Sequence, residues 1–463
     1  MGRGIRRILL FLILMIALGF RLRGITNPLL DDQAWRQADT ACIATHMLGR
    51  LPDIPQVFIP KLNYDGVIPQ KVELEFPFLP YLLAWTWRAL GWADIWGRLW
   101  AVVFSLLTVL GIYDLGRNLF SDRAGLLAAA IYALMPLSIY YGRVVMPEPV
   151  AQALSIWALA SIWRWRRTPK ESKIWIAALL MTGAVLAKLP QLMIFPVALL
   201  LGFWPLNRKH FGQVLKYCLL ALLPPVVYYL WVHVNVSSAN RFVSGIVTTQ
   251  VVNGGHLDYK QLIKHLRQGF MDSVLFLTCV GIVRVSFNPS TARTVFLAWL
   301  GIAVLYTGVV CLRIPFDYYL VPVLPLAALL SGYTLDGIHK FPETMLVLAL
   351  LIMVNQTSYT YLSAKYDWNP NYLTQAQWIR EHTPASSVLL LSDPEPMTLY
   401  YAHRVGFRLT KVLDNNTSIE LLSHFPAGYF VWLPQSRQNQ LFLKKTGIYY
   451  PEIGPGIFAL NSR

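Results

Sequence analysis

The chain has 463 residues, of which 55% are hydrophobic and only 14% are charged, with a mean hydropathy of +0.45. A soluble domain usually carries about 25% charged residues, so this composition excludes an ordinary soluble protein and indicates a chain that faces lipid. The net charge of +16 is more typical of basic loops at a membrane than of nucleic-acid binding.

Apolar segments long enough to cross a bilayer, which takes about 20 residues, recur along the chain. The first follows three arginines and is interpreted as an uncleaved anchor rather than a signal peptide, with Arg21 and Arg23 reaching the far interface. The fold class predicted is therefore an α-helical polytopic membrane protein. About eleven transmembrane helices are expected, near residues 5–24, 98–115, 124–141, 149–164, 174–188, 190–206, 216–234, 269–286, 294–312, 317–334 and 342–360.

The distribution of basic residues between these segments predicts the orientation. With the N-terminus in the cytoplasm, Arg117, Arg123 and the basic cluster at 164–167 fall in short cytoplasmic loops. This arrangement obeys the rule that positive charge accumulates on the cytoplasmic side. An odd number of spans then places the C-terminal region on the opposite side.

The residues after the last predicted span change in character. Residues 375–381 have the pattern of a short amphipathic helix, and 387–392, 429–433 and 456–460 have that of strands. The sequence therefore predicts two domains. They are a transmembrane domain over 1–360, whose first extracytoplasmic loop at about 25–97 contains interfacial helices, and a small extracytoplasmic α/β domain over 361–463.

An acidic pair, Asp31 and Asp32, directly follows the first predicted span. If the chain is helical from there, Asp32, Trp35, Arg36 and Asp39 share one face. Two adjacent carboxylates repel each other, which can raise one pKa and suit it to general-base work. A solvated helix N-terminus, where the helix dipole favours Asp, is the other explanation of this pattern.

Six motifs follow one another along the chain. They are Asp31-Asp32 with Trp35-Arg36, Glu75-Phe76-Pro77, Arg98-Leu99-Trp100, the segment from Tyr141 to Pro149, Lys188-Leu189-Pro190, and Asp317-Tyr318-Tyr319. In type and order they resemble the motifs of the C-type membrane glycosyltransferases, which include the dolichyl-phosphate-mannose protein O-mannosyltransferases and the lipid A aminoarabinose transferases. Some positions depart from the pattern, since Asp32 stands where many relatives have Glu, and Ala34 where many have a basic residue.

The resemblance implies a C-type glycosyltransferase fold and transfer of a sugar from a polyprenyl-phosphate donor to an acceptor hydroxyl. The acceptor would be a glycolipid, a polysaccharide or a protein on the non-cytoplasmic face of a bacterial cytoplasmic (inner) membrane. Transfer would proceed with inversion. Asp31 is the first candidate for the base and Asp32 the second, while Glu148 assists, orients the acceptor or caps a helix. No obligatory cofactor and no metal site are expected, although carboxylates at Asp31 and Glu148 suit a divalent ion.

Cationic and aromatic side chains expected at the outer membrane face are candidates for binding the donor phosphate. Arginine binds two phosphate oxygens at once, and a lysine within an apolar run is commonly functional. The cations at span ends could instead snorkel to the interface, and the tyrosines could be interface anchors. Trp35 and Glu75 are expected to support the acceptor or the loop. The phosphate candidates are Arg36, Arg143, Lys188, Arg313, Tyr318 and Tyr319.

Two other functions fit a polytopic chain: a membrane transporter and an inactive relative that serves as a scaffold. The charged residues lie at span ends and in one loop rather than along a path through the midplane, which argues against a transporter. The intact acidic pair argues against an inactive relative. The expected partners are the donor lipid, the acceptor and membrane lipids, without nucleic acid.

Overall fold

The computed structural model describes residues 2–49, 51, 58–205, 210–254, 257–287, 291–338, 355–411, 422, 424–433 and 440–460. Within these residues the chain is mostly helical. The α-helices are α1 (Arg3–Leu22), α2 (Ala34–Leu48), α3 (Phe78–Leu90), α4 (Asp94–Leu119), α5 (Asp122–Leu134), α6 (Pro136–Tyr141), α7 (Glu148–Arg167), α8 (Glu171–Ala187), α9 (Ile194–Phe203), α10 (Phe211–Asn235), α11 (Phe242–Ile246), α12 (Tyr259–Phe270), α13 (Asp272–Ser286), α14 (Thr291–Tyr306), α15 (Leu324–Asp336), α16 (Gln356–Ala364), α17 (Asn371–His382), α18 (Met397–Ala402) and α19 (Gln440–Tyr449).

Several helices are long and apolar enough to cross a membrane, so the chain is a multi-pass membrane protein. In the part of the chain that the structure describes there are four, or five if the pair α12 and α13, bent by 90°, forms one span. The predicted total of eleven stays a prediction, and most of the predicted span at 342–360 lies outside the described residues. The four helices that are long and apolar enough to cross a membrane are Asp94–Leu119, Phe211–Asn235, Arg293–Cys311 and Asp317–Asp336.

One predicted span is divided by a proline. The segment 124–141 forms α5 and α6, and the break falls at Met135, directly before Pro136. Proline has no amide hydrogen and clashes with the preceding helical turn, so it begins a new helix more readily than it continues one.

Arg21, near the end of α1, is fully buried rather than at the interface. Its guanidinium donates to the hydroxyls of Ser105 at 2.6 Å and Ser138 at 2.7 Å, and also to main-chain carbonyls of α1, α5 and α6. The expectation that Arg21 snorkels is therefore wrong. Neutral oxygen atoms of α1 and of the neighbouring helices accept hydrogen bonds from all N–H groups of the guanidinium. The side chain therefore does not need to reach water.

The first loop is folded against the membrane helices. Two short strands, β1 (Lys61–Leu62) and β2 (Gln70–Lys71), pair antiparallel between α2 and α3. The helix predicted from Phe78 is present as α3, which buries Leu79, Leu83 and Trp87 and leaves Trp85 exposed, and its place at the membrane interface stays a prediction. It ends at Gly91, whose φ of 86° suits a residue without a side chain.

The C-terminal residues form a five-stranded mixed sheet with strand order β4-β3-β5-β7-β6. Strand β3 is parallel to both of its neighbours, β4 and β5, and β7 pairs antiparallel with β5 and β6. The helix and the three strands predicted from the sequence coincide with α17, β3, β5 and β7. The domain boundary at 361 and the side of the membrane stay predictions. The strands are β3 (Val388–Leu391), β4 (Val405–Arg408), β5 (Tyr429–Val431), β6 (Glu452–Gly454) and β7 (Ile457–Ala459).

This sheet is attached to the first loop through its edge strand β4. The amide of Gly406 donates to the carbonyl of Asn63 at 2.9 Å, and the amide of Gly66 donates to the carbonyl of Gly406 at 3.2 Å. The hydroxyls of Tyr400 and Tyr401 donate to the Asp94 carboxylate at 3.0 and 2.7 Å. The C-terminal sheet thus holds residues 63–66 in place beside α2.

Candidate active site

The acidic pair lies in the turn that precedes α2. Gln33 has a left-handed backbone, with φ of 60°, and the helix begins only after it, at Ala34. Trp35, Arg36 and Asp39 face one cavity, as expected for one side of a helix. The expectation that Asp32 shares this helical face is wrong, because the turn at Gln33 ends the helix before the acidic pair.

Asp31 is enclosed by cations. Its Oδ1 accepts from Gln37 Nε2 at 2.6 Å and from Arg98 Nη2 at 3.2 Å, and its Oδ2 pairs with Arg143. The side chains of Asp31, Arg98 and Arg143 are all fully buried. Both oxygens of Asp31 are therefore engaged inside the protein, and Arg143 binds a carboxylate rather than facing an open site.

Asp32 points the other way and keeps a third of its side chain exposed. Its Oδ2 pairs with Lys365 Nζ at 2.5 Å, and its main-chain carbonyl accepts from the hydroxyl of Tyr140 at 2.7 Å. Burial raises the pKa of Asp32, while the positive charge of Lys365 opposes that rise. Of the two carboxylates, Asp32 is thus the one with an exposed surface.

A second charged group is centred on Glu75. Its carboxylate binds Arg36 Nη2 at 3.0 Å and Lys188 Nζ at 2.8 Å, and Lys188 also lies 2.9 Å from Glu148. Burial raises the pKa of Glu75, but the charges of Lys188 and Arg36 outweigh it and hold the pKa below its usual range. Glu75 is therefore an ionised bridge between two cations.

The Lys188 ammonium also lies over two aromatic rings, 5.1 Å from the centroid of Tyr318 and 5.8 Å from that of Tyr319. A ring face attracts a cation through its quadrupole, which fixes the ammonium without neutralising it. The helix α8 ends at Ala187, so Lys188 projects from the point where the chain leaves that helix.

Arg36, Glu75 and Lys188 form the polar end of a cavity of about 680 Å³. Tyr318, Tyr319 and Trp35 border the same end. Asp39, Tyr64, Leu74 and Arg408 also line the cavity. The remaining walls are almost entirely apolar and come from side chains within 189–193, 242–251 and 302–314. This shape fits a ligand with an anionic head and a long apolar tail.

The structure thus brings together Trp35, Arg36, Glu75, Lys188, Tyr318 and Tyr319, all of which were singled out from the sequence. Glu148 lies behind Lys188, outside the lining. Arg143 belongs to the Asp31 group. Arg313 does not line the cavity and donates to the carbonyls of Gly308 at 2.9 Å and Val309 at 3.1 Å, as a cap on its own helical segment.

Two residues near these groups were not predicted. Lys365 binds Asp32, and Arg408 of the C-terminal sheet lines the cavity. The Arg408 guanidinium lies 3.5 Å from the ring centroid of Tyr64 and pairs with Asp65 at 2.6 Å. No local pattern marks either residue, since both reach the site through contacts with the distant first loop.

Asp31 and Glu148, the carboxylates that suit a divalent ion in the sequence, do not come together in a metal site. Among the residues that the structure describes, no three His, Cys, Asp or Glu side chains converge. Asp31 faces two arginines and Glu148 faces Lys188, so cations of the protein already occupy the directions in which a metal would bind. No chemical step is therefore derived through a metal.

A family model described as dolichyl-phosphate-mannose-protein mannosyltransferase matches residues 75–231. No curated protein matches the chain. The match includes Glu75 and Lys188 of the polar end of the cavity but not Arg36, and it also includes Arg98, Arg143 and Glu148.

Solved structures of membrane glycosyltransferases share the fold. ArnT from Cupriavidus metallidurans bound to undecaprenyl phosphate is 12% identical, with a TM-score of 0.69 over 98% of both chains. The oligosaccharyltransferase AglB from Archaeoglobus fulgidus, in complex with an inhibitory peptide and a dolichol-phosphate, is 13% identical. Its TM-score is 0.65 over 92% of this chain and 69% of that one.

The apo form of the Archaeoglobus fulgidus oligosaccharyltransferase is 13% identical, with a TM-score of 0.62. The match covers 88% of this chain, which spans 64% of the length of that enzyme. The resemblance predicted from the sequence is confirmed by the family match and by the shared fold: the chain has the fold of the C-type membrane glycosyltransferases.

Proposed function

We propose that this protein is a membrane glycosyltransferase that transfers a sugar from a polyprenyl-phosphate donor to an acceptor hydroxyl. The observation that carries the proposal is the cavity with Arg36 and Lys188 at its polar end and apolar walls beyond them. Undecaprenyl phosphate in the ArnT structure and dolichol-phosphate in the AglB structure have this combination of anionic head and apolar tail.

The donor phosphate binds between Arg36 and Lys188. In the structure both cations hold the single carboxylate of Glu75. The phosphodiester of the donor carries one negative charge and two free oxygens, as a carboxylate does, so it competes with Glu75 for the same two cations. As the bond to the sugar breaks, negative charge grows on the phosphate, and two fixed cations stabilise that charge.

Asp32 acts as the general base. The acceptor oxygen forms a bond to the anomeric carbon of the sugar, and its proton passes to the Asp32 carboxylate. The bond between that carbon and the phosphate oxygen breaks, and polyprenyl phosphate leaves with the electron pair. Attack opposite the leaving group inverts the configuration. Exposure favours Asp32 over Asp31, whose oxygens are engaged by Arg98, Arg143 and Gln37.

Glu148 and Asp31 support this chemistry indirectly. Glu148 orients the Lys188 ammonium, and Asp31 fixes the turn that presents Asp32. Tyr318 and Tyr319 hold Lys188 over their rings, and Trp35 borders the polar end. Arg143 acts through Asp31, and we assign no part in donor binding to Arg313.

We further propose that the enzyme resides in a bacterial cytoplasmic membrane, with about eleven spans and a cytoplasmic N-terminus. The C-terminal sheet then lies outside the cytoplasm, and the acceptor is a glycolipid, a polysaccharide or a protein. The basic clusters near Arg117 and at 164–167 support this orientation.

The test begins with the product. Lipids and glycans of cells that lack the gene are compared with those of wild-type cells by mass spectrometry. The sugar that is missing from the mutant cells identifies the product. Membranes of the deletion strain then hold both unused donor and unmodified acceptor, and purified protein in vesicles is added to them. Asp32→Asn is expected to lower the rate of transfer by about 10²–10⁴-fold, the usual contribution of a positioned base.

Glu381→Gln, at an exposed position in α17, is the matched control and should leave the rate unchanged. Full activity of Asp32→Asn, with loss of activity in a folded Asp31→Asn protein, would move the base to Asp31. Movement of the lipid-linked sugar across the vesicle membrane without any transfer of the sugar to an acceptor would mean that the protein is a transporter and not an enzyme.

A further inference from the structure

Lys365 links the exposed carboxylate of the acidic pair to a second acid. It follows α16 directly and is 8% exposed. Its Nζ lies 2.5 Å from Asp32 Oδ2 and 2.6 Å from Asp317 Oδ2. Its main-chain carbonyl also accepts from the amide of Asp32 at 3.1 Å. One residue therefore holds Asp32 by both its side chain and its main chain.

Aromatic rings enclose the ammonium on its other sides. Its Nζ lies 5.1 Å from the ring centroid of Tyr140, 5.5 Å from that of Tyr141 and 4.9 Å from that of Tyr361. The hydroxyls of Tyr141 and Tyr361 both donate to Asp317. The ammonium and Asp317 are therefore fixed in place, and Asp32 is the member of the group with an exposed surface.

The charges in this group are unequal: two carboxylates share one ammonium. A lysine paired with Asp32 alone would hold the proton affinity of that carboxylate low and make it a weak base. Asp317 draws on the same ammonium and adds negative charge nearby, which opposes that effect. Sharing keeps Asp32 ionised and oriented while leaving it able to accept a proton.

We propose that Lys365 is a positioning residue for the general base, and that its division between Asp32 and Asp317 sets the pH at which the base becomes active. This inference rests on the proposed function, because it takes Asp32 to be the base. Lys365 acts through its contact with the Asp32 carboxylate and takes up no proton in the proposed step.

Other titratable groups face this site from the elements packed around it. Asp31, in the same turn, is neutralised by Arg98 and Arg143. His265 of α12 contacts the Tyr361 hydroxyl at 3.3 Å. The remaining groups are tyrosines, and a tyrosine ordinarily loses its proton only at about pH 10, so they stay protonated in the working range. They are Tyr140, Tyr141, Tyr361 and Tyr366.

The experiment measures the initial rate against pH for full-length variants in vesicles, with deletion-strain membranes as the source of donor and acceptor. A base is active when deprotonated, so its pKa sets the acidic limb of the profile. Lys365→Met removes the positive charge and should move that limb to higher pH by roughly 1–3 units. Lys365→Arg keeps the charge and should keep the limb near its wild-type position.

Asp317→Asn supplies a shift of opposite sign. It leaves the ammonium to Asp32 alone and removes a neighbouring negative charge, so the acidic limb should move to lower pH. Lys216→Met, which breaks an ion pair of Lys216 with Glu171 distant in sequence from the site, is the control and should leave the profile unchanged. If Lys365→Met does not fold, the pH profiles of Asp317→Asn and Lys365→Arg still test the role of Lys365.

The outcomes separate this inference from the proposed function. Shifts of opposite sign for Lys365→Met and Asp317→Asn support it. Wild-type profiles in both variants, or shifts in the same direction, overturn the role of Lys365 even when Asp32→Asn is inactive. Full activity of Asp32→Asn defeats the assignment of the base itself, whatever the profiles of the other two variants.

Discussion

Asp31 and Arg36 each belong to a group of ion-paired side chains, and the two groups lie in different surroundings. In the first, Asp31 lies between Arg98 and Arg143, and all three side chains are fully buried. In the second, Glu75 lies between Arg36 and Lys188 at the polar end of a cavity. Each group has one carboxylate between two cations.

The difference lies in what can replace the carboxylate. Around Asp31 the protein encloses every partner, and the arginines also donate to main-chain carbonyls of Gly24 and Pro28. Around Glu75 the side chains border a cavity. Under the proposed function, the same arrangement of charges therefore stabilises the fold in one place and binds a ligand in the other.

The strongest way to break this comparison is Arg143→Met. It leaves Asp31 with one arginine instead of two in a fully buried setting, and breaking a buried ion pair typically costs about 3–5 kcal/mol. We expect a loss of that size in the free energy of unfolding, measured by denaturation in detergent. Arg313→Met, which removes bonds to two carbonyls of its own segment, should cost clearly less. Unchanged stability with weakened donor binding would place Arg143 at the phosphate instead.

Lys188→Ala tests the second group. Charge-assisted hydrogen bonds are worth about 1.5–3 kcal/mol, so the donor KM should rise by about tenfold to a hundredfold. Donor lipids extracted from the deletion strain are titrated into the vesicle assay to measure it. Lys216→Ala is the control at an exposed lysine and should leave the KM unchanged. An unchanged donor KM in the Lys188 variant would make that lysine a structural partner of Glu148.

The sequence predicts local elements well where the signal is local. The helix from Phe78, and the strands at 387–392, 429–433 and 456–460, are present because apolar periodicity and prolines define them within a few residues. The motifs also contain Arg36, Glu75 and Lys188, which meet at the polar end of the cavity. The resemblance to a known superfamily, rather than any local pattern, singles out these three residues, since Arg36, Glu75 and Lys188 lie far apart in the chain.

The sequence does not distinguish Asp31 from Asp32. The difference between the two carboxylates depends on the left-handed backbone of Gln33, which no residue pattern around Gln33 predicts. It also depends on Lys365, which lies 333 residues from Asp32 in the chain. Arg21 fails for a similar reason. Its position near the end of an apolar run suggests an interfacial side chain, whereas Ser105 and Ser138 of other helices supply buried acceptors.

The smallest effect sharpens the comparison most, because it has the opposite sign. If Glu75 occupies the place of the donor phosphate between Arg36 and Lys188, removing its charge should strengthen phosphate binding. Glu75→Gln is expected to bind undecaprenyl phosphate in vesicles several-fold more tightly, up to about tenfold or ~1.4 kcal/mol, as measured by inhibition of transfer. Slower release of the product would then lower the maximal rate.

The opposite result would be equally informative about Glu75. Weaker inhibition by undecaprenyl phosphate in Glu75→Gln would mean that the carboxylate orients the cations rather than competing with the phosphate. Asp31→Asn separates the two groups in the same assay, since its partners are enclosed and it should lose stability without any gain in phosphate affinity. A gain in both variants would mean that long-range charge, rather than exchange at one site, controls binding of the lipid phosphate.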